Sequence, residues 1–408
     1  MLFFIKEAAA QPHIFHVPKQ HGDSTHLKIS QPYLYDINNQ LDMIDIAKEM
    51  VNSKATKRID TGKEIYRTQV SALPAAGYTL QTGFAVIAFG NVVFFTHKDA
   101  EEKVSNITAN VTYTQYSQWI IPMQSNIWTK NNKYNITSDW RYVNFPSLTY
   151  GLGMHNTLND GYYIDYSAFR FHNTIYRDIA RNFYVGAGYQ LDYFWNVQEI
   201  DPPLGKKTDY QSYGLKQTET ASGIALNVLY DSRQNSVNAD NGIYSLLTYS
   251  YNPTFLGSTT NTQSLILDVR KYFKFPASSN NVLALWTYDW FTLAGNPPYL
   301  LLPNTGGDPA SNSGRGYIQG RYRGKNSLYL ESEYRFDITR NGLFGGVVFA
   351  NMQSVTEPIT NRFDVVAPGY GVGLRLKLNK FSKTNVGVDY GFGLGGSKGF
   401  FVNLGEVF

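Results

Sequence analysis

The sequence predicts an all-β fold: a 16-stranded antiparallel transmembrane β-barrel that follows a short, mostly irregular N-terminal segment. Three observations support this prediction. Apolar and polar residues alternate from about residue 69 to the end of the chain. The alternating segments run for about 10–18 residues, whereas globular strands average roughly 5–6 and spanning strands need about 9–11. Charged residues make up only 17% of the chain and aromatic residues 15%, where a soluble domain has about 25% charged residues.

The overall composition excludes several classes of protein. The 408 residues carry a formal net charge of only +4, so the sequence does not indicate a surface that coats nucleic acid. The chain has no cysteine, which excludes disulfide frameworks, thiol catalysis and Cys-ligated zinc. No stretch approaches the roughly 18 consecutive apolar residues of a spanning helix.

Residues 1–68 differ from the remainder and are treated as a separate N-terminal segment. They hold four of the seven histidines and show no sustained alternation. Apolar residues at spacings of three and four, including Met43, Ile46 and Met50, predict one short amphipathic helix at about 41–52. This helix either packs on the following domain or acts as a plug or lid. The first residues break their apolar run at Lys6 and lack a basic start, which predicts an absent or truncated signal peptide.

The barrel domain is predicted to span 69–408, and its strands have one apolar and one polar face. In 370–378, for example, Tyr370, Val372 and Leu374 alternate with Gly371 and Arg375. Short turns alternate with long connections at 199–217 and 296–326, as expected for short periplasmic turns and long external loops. Strands are predicted near 69–79, 83–96, 105–117, 119–130, 133–146, 160–176, 181–198, 218–232, 242–256, 261–276, 280–295, 327–338, 342–355, 368–379, 384–394 and 399–408.

The last predicted strand, 399–408, resembles the C-terminal signal of outer-membrane barrels. Phe400, Val402, Leu404 and Phe408 share one parity, and the sequence ends on an aromatic residue. Glu406 falls on the same face, where an apolar residue is usual. The pattern predicts an outer-membrane location.

Several motifs together resemble the bacterial surface antigen family, the outer-membrane assembly and secretion barrels typified by BamA and TamA. The resemblance covers about 69–408. Its main features are the Arg315-Gly316-Tyr317 tripeptide in the longest loop and the strand motif Glu333-Tyr-Arg-Phe336 that follows. The segments 77–83, 230–235, 346–351 and 371–375 add further matches, and the motifs follow one another along the chain as they do in the family.

The resemblance implies that the loop at 296–326 folds back into the lumen and is held there by Arg315. Arg315 would meet Glu333 on the inner wall, with Gly316 and Tyr317 completing the motif. A guanidinium is well suited to bridging carboxylates in this way. A second acid of the family falls at Asn351, where an amide brings no charge, so we expect a weaker lock. The alternative is that Arg315 is a solvated loop residue.

The family mechanism also implies a lateral seam between the first and last strands. Pro74 lacks a backbone donor, and Gly77, Gly399 and Gly405 weaken the pairing further. A weak seam can open sideways and offer its edge to an incoming strand. We therefore expect a lateral gate between 69–79 and 399–408.

Members of the family carry polypeptide-transport-associated (POTRA) repeats before the barrel, and residues 1–68 are too few for a set of these. The chain resembles a barrel-only member, which predicts a separate periplasmic or lipoprotein partner beside the lipid of the outer membrane. The expected function is insertion, assembly or translocation of protein or lipid. The alternatives are a passive porin and a soluble all-β binding protein. The sequence predicts no catalytic residue, no cofactor, no metal and no nucleic-acid partner.

Overall fold

A computed structural model of the chain describes residues 40–51, 68–79, 82–97 and 103–408, apart from 204, 206 and 215. Two short α-helices lie within these residues, α1 (Met43–Val51) and α2 (Asp209–Tyr213). The strands are β1 (Gln69–Thr79), β2 (Gly83–Phe94), β3 (Ser105–Thr114), β4 (Trp119–Trp128), β5 (Tyr134–Asn144), β6 (Ser147–Thr149), β7 (Tyr162–Ala180), β8 (Phe183–Ile200), β9 (Glu219–Asp231), β10 (Gly242–Asn252), β11 (Thr262–Lys274), β12 (Val282–Ala294), β13 (Asn326–Asp337), β14 (Phe344–Val355), β15 (Ala367–Asn379), β16 (Thr384–Phe392) and β17 (Lys398–Leu404).

The strands form one antiparallel sheet in which consecutive strands pair along the chain. The three-residue β6 is the exception, because it extends the line of β5 and both pair with β7. The other sixteen strands form the wall of a nearly closed barrel, which confirms the predicted fold class. In the part of the chain that the structure describes, no helix is long and apolar enough to cross a membrane.

The two faces of the wall are inverted relative to a soluble protein. On β15 the apolar side chains of Tyr370 and Leu374 point outward and are 61% and 63% exposed. The charged Arg375 points into the lumen and is only 4% exposed. Exposed apolar side chains around buried polar ones are the arrangement that a hydrocarbon environment stabilises. The period of two in the sequence therefore predicted correctly which side chains face outward on this strand.

The two ends of the barrel differ. The turn end carries the short connections, such as that between β7 and β8, and the loop end carries the long ones at 201–218 and 295–325. At the loop end an aromatic cluster packs the connections against each other, with the Tyr210 and Tyr299 rings 4.8 Å apart. The Tyr299 hydroxyl lies 3.0 Å from Thr149 Oγ1 at the end of β6, which joins the cluster to the wall. These contacts hold the two long connections together at the loop end.

The C-terminal residues leave the wall earlier than the sequence predicted. β17 ends at Leu404, and Gly405 adopts a φ of +90°, a left-handed conformation that favours glycine. Residues 405–408, the C-terminal tail, then turn into the lumen, where Phe408 is 6% exposed. The prediction that Phe408 shares the outward face was wrong for this reason, whereas Phe400 and Leu404 do face outward and Val402 is half-buried.

β1 and β17 lie side by side at the closure of the barrel. A Cβ on Gly77 would lie 3.8 Å from the Cβ of Val402. Among the described residues, however, no ladder of registered pairs joins these two strands, although every other neighbouring pair of strands in the wall has one. Within β1, Pro74 is paired with Ala88 of β2. The segments 69–79 and 399–408 are thus in contact, but no register of paired residues joins them.

Helix α1 docks on the rim of the turn end. Asp42 caps it by accepting a hydrogen bond from the Asp45 amide at 2.7 Å. Asp42 also accepts from the Lys380 amide at 2.9 Å, and Lys380 Nζ lies 2.8 Å from the Asp45 carboxylate. The predicted helix at 41–52 is present, and it packs on the barrel. The rest of the predicted irregular segment, 1–39 and 52–67, lies outside the described residues.

Candidate functional site: a lock inside the lumen

The long loop, 295–325, places the guanidinium of Arg315 inside the barrel. Arg315 is 1% exposed and its Nη1 donates to Asp389 Oδ2 at 2.6 Å. Its Nη2 donates to Glu333 Oε2 at 2.5 Å and also to Glu331 Oε1. The guanidinium carbon, Cζ, lies 3.7 Å from the centre of the Phe349 ring. We call Arg315 and its three carboxylates the lumen lock.

Two arginines on the wall bind carboxylates of the lumen lock, so positive and negative side chains alternate around it. Arg335 Nε donates to Glu333 Oε1 at 2.7 Å, and Arg375 Nη1 donates to Asp389 Oδ1 at 2.5 Å. Buried carboxylates need such partners, because an unpaired charge away from water is strongly destabilising. The network therefore specifies one position for the loop, since Arg315 meets all three carboxylates only there.

Glycines on the inner face of β15 and β16 make room for the lock. A Cβ on Gly373 would lie 1.8 Å from Asp389 Oδ1, and one on Gly391 would lie 2.7 Å from the Gly316 amide nitrogen. Gly316 itself has a φ of +104°, and a Cβ there would lie 2.5 Å from the carbonyl oxygen of Phe392. Gly391 and Gly316 are therefore required by the close approach of the loop to β16, and Gly373 makes room for the Asp389 carboxylate.

Tyr317 fastens the loop to the β16–β17 turn. Its hydroxyl donates to the Pro368 carbonyl at 2.5 Å and accepts from the Leu394 amide at 2.9 Å. Burial raises the pKa of Tyr317 to about 12, so the hydroxyl stays protonated and able to donate even in alkaline solution. The residue after Arg-Gly in the motif thus contributes two directed hydrogen bonds.

The side chain of the predicted partner Asn351 contacts the backbone of the loop. Asn351 Nδ2 donates to the carbonyl oxygen of Arg315 at 2.9 Å, so it holds the peptide and not the guanidinium. The expectation of a weaker lock stays a prediction, and the structure adds that Glu331 and Asp389 supply charge beside Glu333. Glu331 shares the parity of Glu333 in the sequence, so alternation puts both on the same face of the strand. Asp389 was missed, although it lies on the polar face of its predicted strand.

Further contacts hold the loop to the rest of the lumen wall. Arg141 on β5 donates to the Pro309 carbonyl, and Thr305 Oγ1 donates to Gln353 Oε1 at 2.8 Å. Within the loop itself, Arg323 Nη1 donates to the Tyr299 carbonyl at 2.9 Å. The loop is therefore anchored on opposite sides of the barrel and crosses its interior.

The C-terminal tail joins the same network. Glu406 accepts from Arg375 Nε at 2.8 Å and from Asn385 Nδ2 at 2.6 Å. Asn312 of the long loop donates to the Val407 carbonyl at 2.8 Å. This explains why Glu406 occurs where a lipid-facing residue was expected, since the tail has already left the wall.

Fold and site together define a transmembrane β-barrel whose lumen is crossed by a loop held on a buried arginine. Solved structures share this fold. The chain is similar to BamA from Haemophilus ducreyi in a crystal structure that lacks POTRA domains 1–3, with a TM-score of 0.54 and 12% identity over 83% of this chain and 70% of that one. It is also similar to CdiB from Acinetobacter baumannii, with a TM-score of 0.51 and 13% identity over 86% of this chain and 70% of that one. No family model and no curated protein matches the sequence.

Proposed function

We propose that this chain is a non-enzymatic outer-membrane barrel that helps proteins or lipids to insert, assemble or cross at that membrane by opening between β1 and β17. One observation carries the proposal: these strands touch without a registered ladder, while the remaining neighbours in the described wall are paired. An unpaired strand edge can template an incoming strand. The seam is therefore the place where the wall opens at least cost.

The length of the two seam strands supports this proposal. β17 has 7 residues, whereas β1 has 11. Residues 405–408 would lengthen β17 if they stayed in the wall, but they are held in the lumen by Arg335 and Arg375. Part of the β1 edge is consequently left opposite no strand of the described chain.

The lumen lock supports a lateral path because it holds the long loop across the interior of the barrel. This loop obstructs a substrate path along the barrel axis. A path through the wall, at the seam between β1 and β17, remains. The fold shared with BamA and CdiB is consistent with an assembly or secretion barrel of the surface antigen family. In this proposal the turn end faces the periplasm, and a separate periplasmic or lipoprotein partner supplies substrate recognition.

A disulfide across the seam tests the proposal, and the absence of native cysteine gives a clean background. Gly77→Cys with Val402→Cys places two Cβ atoms about 3.8 Å apart, within the range that a disulfide needs. Val388→Cys with Val402→Cys is the matched control, because it joins β16 to β17, which are already paired. The assay is the rate at which the barrel in liposomes accelerates insertion of a small urea-unfolded outer-membrane barrel.

We expect the oxidised seam pair to abolish the acceleration and a reductant to restore it, while the control pair keeps full activity in both states. Full activity with the seam locked would refute the lateral gate. A passive porin is the alternative function, and it predicts steady conductance through the lumen and indifference to the seam disulfide.

A further inference from the structure

A cavity of about 340 Å³ opens at the turn end of the lumen. The turn between β9 and β10, the ends of β11 to β15 and the C-terminal tail surround it. We call it the mouth cavity. Among the described residues that line it, six are basic and three are acidic, and the basic ones are Lys274, Arg335, Arg375, Lys377, Lys380 and Lys383. Cationic side chains thus outnumber acidic ones on the lining itself, while Asp45, Glu333 and Asp389 behind the lining pair with three of them. The lining offers several cationic hydrogen-bond donors, which suit an anionic oxygen.

Internal ion pairs hold part of this charge in place. Lys380 pairs with Asp45 of α1 at 2.8 Å, and Lys383 pairs with Asp240 at 3.1 Å. Glu406 faces Arg375 at 2.8 Å. These contacts fix the positions of the cationic side chains before any ligand arrives, so less conformational entropy is lost on binding.

Arg335 provides an independent indication of a ligand. It lines the mouth cavity, is 7% exposed, and binds Glu333 through Nε and the Phe408 carbonyl through Nη2. Its Nη1 has no hydrogen-bond partner among the described residues. A buried guanidinium donor without an acceptor is destabilising, and an anionic oxygen that reaches it would satisfy it.

We infer that the mouth cavity is a binding site for a small, water-soluble anion that carries a phosphate group. A phosphate offers several acceptor oxygens to a guanidinium and to the ammonium groups around it. The ligand reaches the cavity through water, because Arg335 and Arg375 lie on the inner face of the wall, away from lipid. The volume corresponds to roughly ten water molecules, enough for a phosphate with a small body and too little for a folded segment.

Isothermal titration of the full-length barrel in detergent with inorganic pyrophosphate at low ionic strength tests this inference. We expect saturable binding of one pyrophosphate per chain. Lys274→Gln removes an exposed charge from the rim and should weaken binding several-fold, and Arg335→Lys, which keeps the charge but loses the guanidinium fork, should weaken it about tenfold or more. Lys398→Gln is the matched control, because it removes an exposed lysine at the loop end.

Absence of saturable binding to the folded wild-type barrel would overturn the inference. An equal loss of affinity in Lys398→Gln and Lys274→Gln would do the same, because it would indicate attraction by net charge alone. If Arg335→Lys does not fold, Lys274→Gln still decides the question, since unchanged affinity in that variant excludes the cavity. The titration does not depend on the seam, so its result is separate from that of the disulfide experiment.

Discussion

Arg335 Nη2 donates a hydrogen bond to the carbonyl oxygen of Phe408 at 2.9 Å. Through this contact one arginine joins the lumen lock to the C-terminal tail, since its Nε also binds Glu333. The tail, the long loop and the inner wall thus share a single charged network.

Arg315→Ala should destabilise the barrel by about 3–5 kcal/mol, because it leaves buried carboxylates without their counter-ion. It should also release the long loop, so the low steady conductance expected for wild type in planar bilayers should rise. Arg340→Ala, at an exposed turn residue, is the control and should change neither quantity. Unchanged conductance in a folded Arg315→Ala barrel would show that the loop does not obstruct the lumen.

Gly316→Ala should destabilise the loop by more than its backbone conformation alone requires. The new Cβ would lie 2.5 Å from the Phe392 carbonyl oxygen, in addition to the cost of a φ of +104°. Gly395→Ala is matched, because Gly395 has a φ of +64° and no atom within 4 Å of the added Cβ. Urea unfolding should show a cost of about 1 kcal/mol for Gly395→Ala and clearly more for Gly316→Ala. Equal costs would contradict the close packing of Gly316 on β16.

Phe408→Ala should change the environment of Trp286, whose ring stacks on Phe408 at 5.1 Å. Loss of this buried ring should destabilise the barrel by up to about 3–5 kcal/mol and shift the tryptophan fluorescence. Phe400→Ala is the control, because Phe400 lies on the outer face of the same C-terminal region. An unchanged fluorescence spectrum in Phe408→Ala would contradict the packing of the tail inside the lumen.

Lys380→Met should detach α1 from the turn end. The variant removes the ion pair with Asp45 and the hydrogen bond from Nζ to the Gln40 carbonyl. Hydrogen exchange of the amides in Met43–Val51 should accelerate at least tenfold, because the helix is too short to be stable alone. Lys383→Met, which loses only a partly exposed pair with Asp240, should leave the exchange unchanged. Slow exchange in both variants would mean that Lys380 does not hold the helix.

Most of the strand positions could be predicted from the sequence, because the alternation of apolar and polar residues is local. β15 illustrates this: the predicted 368–379 corresponds to Ala367–Asn379. The same alternation puts Glu331 and Glu333 on one face of their strand, opposite Leu330. The choice of Arg315 as the residue that meets them came from the resemblance of its motif and not from periodicity.

The sequence by itself thus determined the strands and the face of the wall to which most of their side chains belong, since both follow from a period of two along the chain. Only the tertiary structure decided that Asp389 joins Glu331 and Glu333 around Arg315, because those acids lie on β13 and β16 and meet through the curvature of the wall. It also decided that Phe408 lies inside. A single left-handed residue, Gly405, ends the strand, and the neighbours across the lumen then determine where the tail packs.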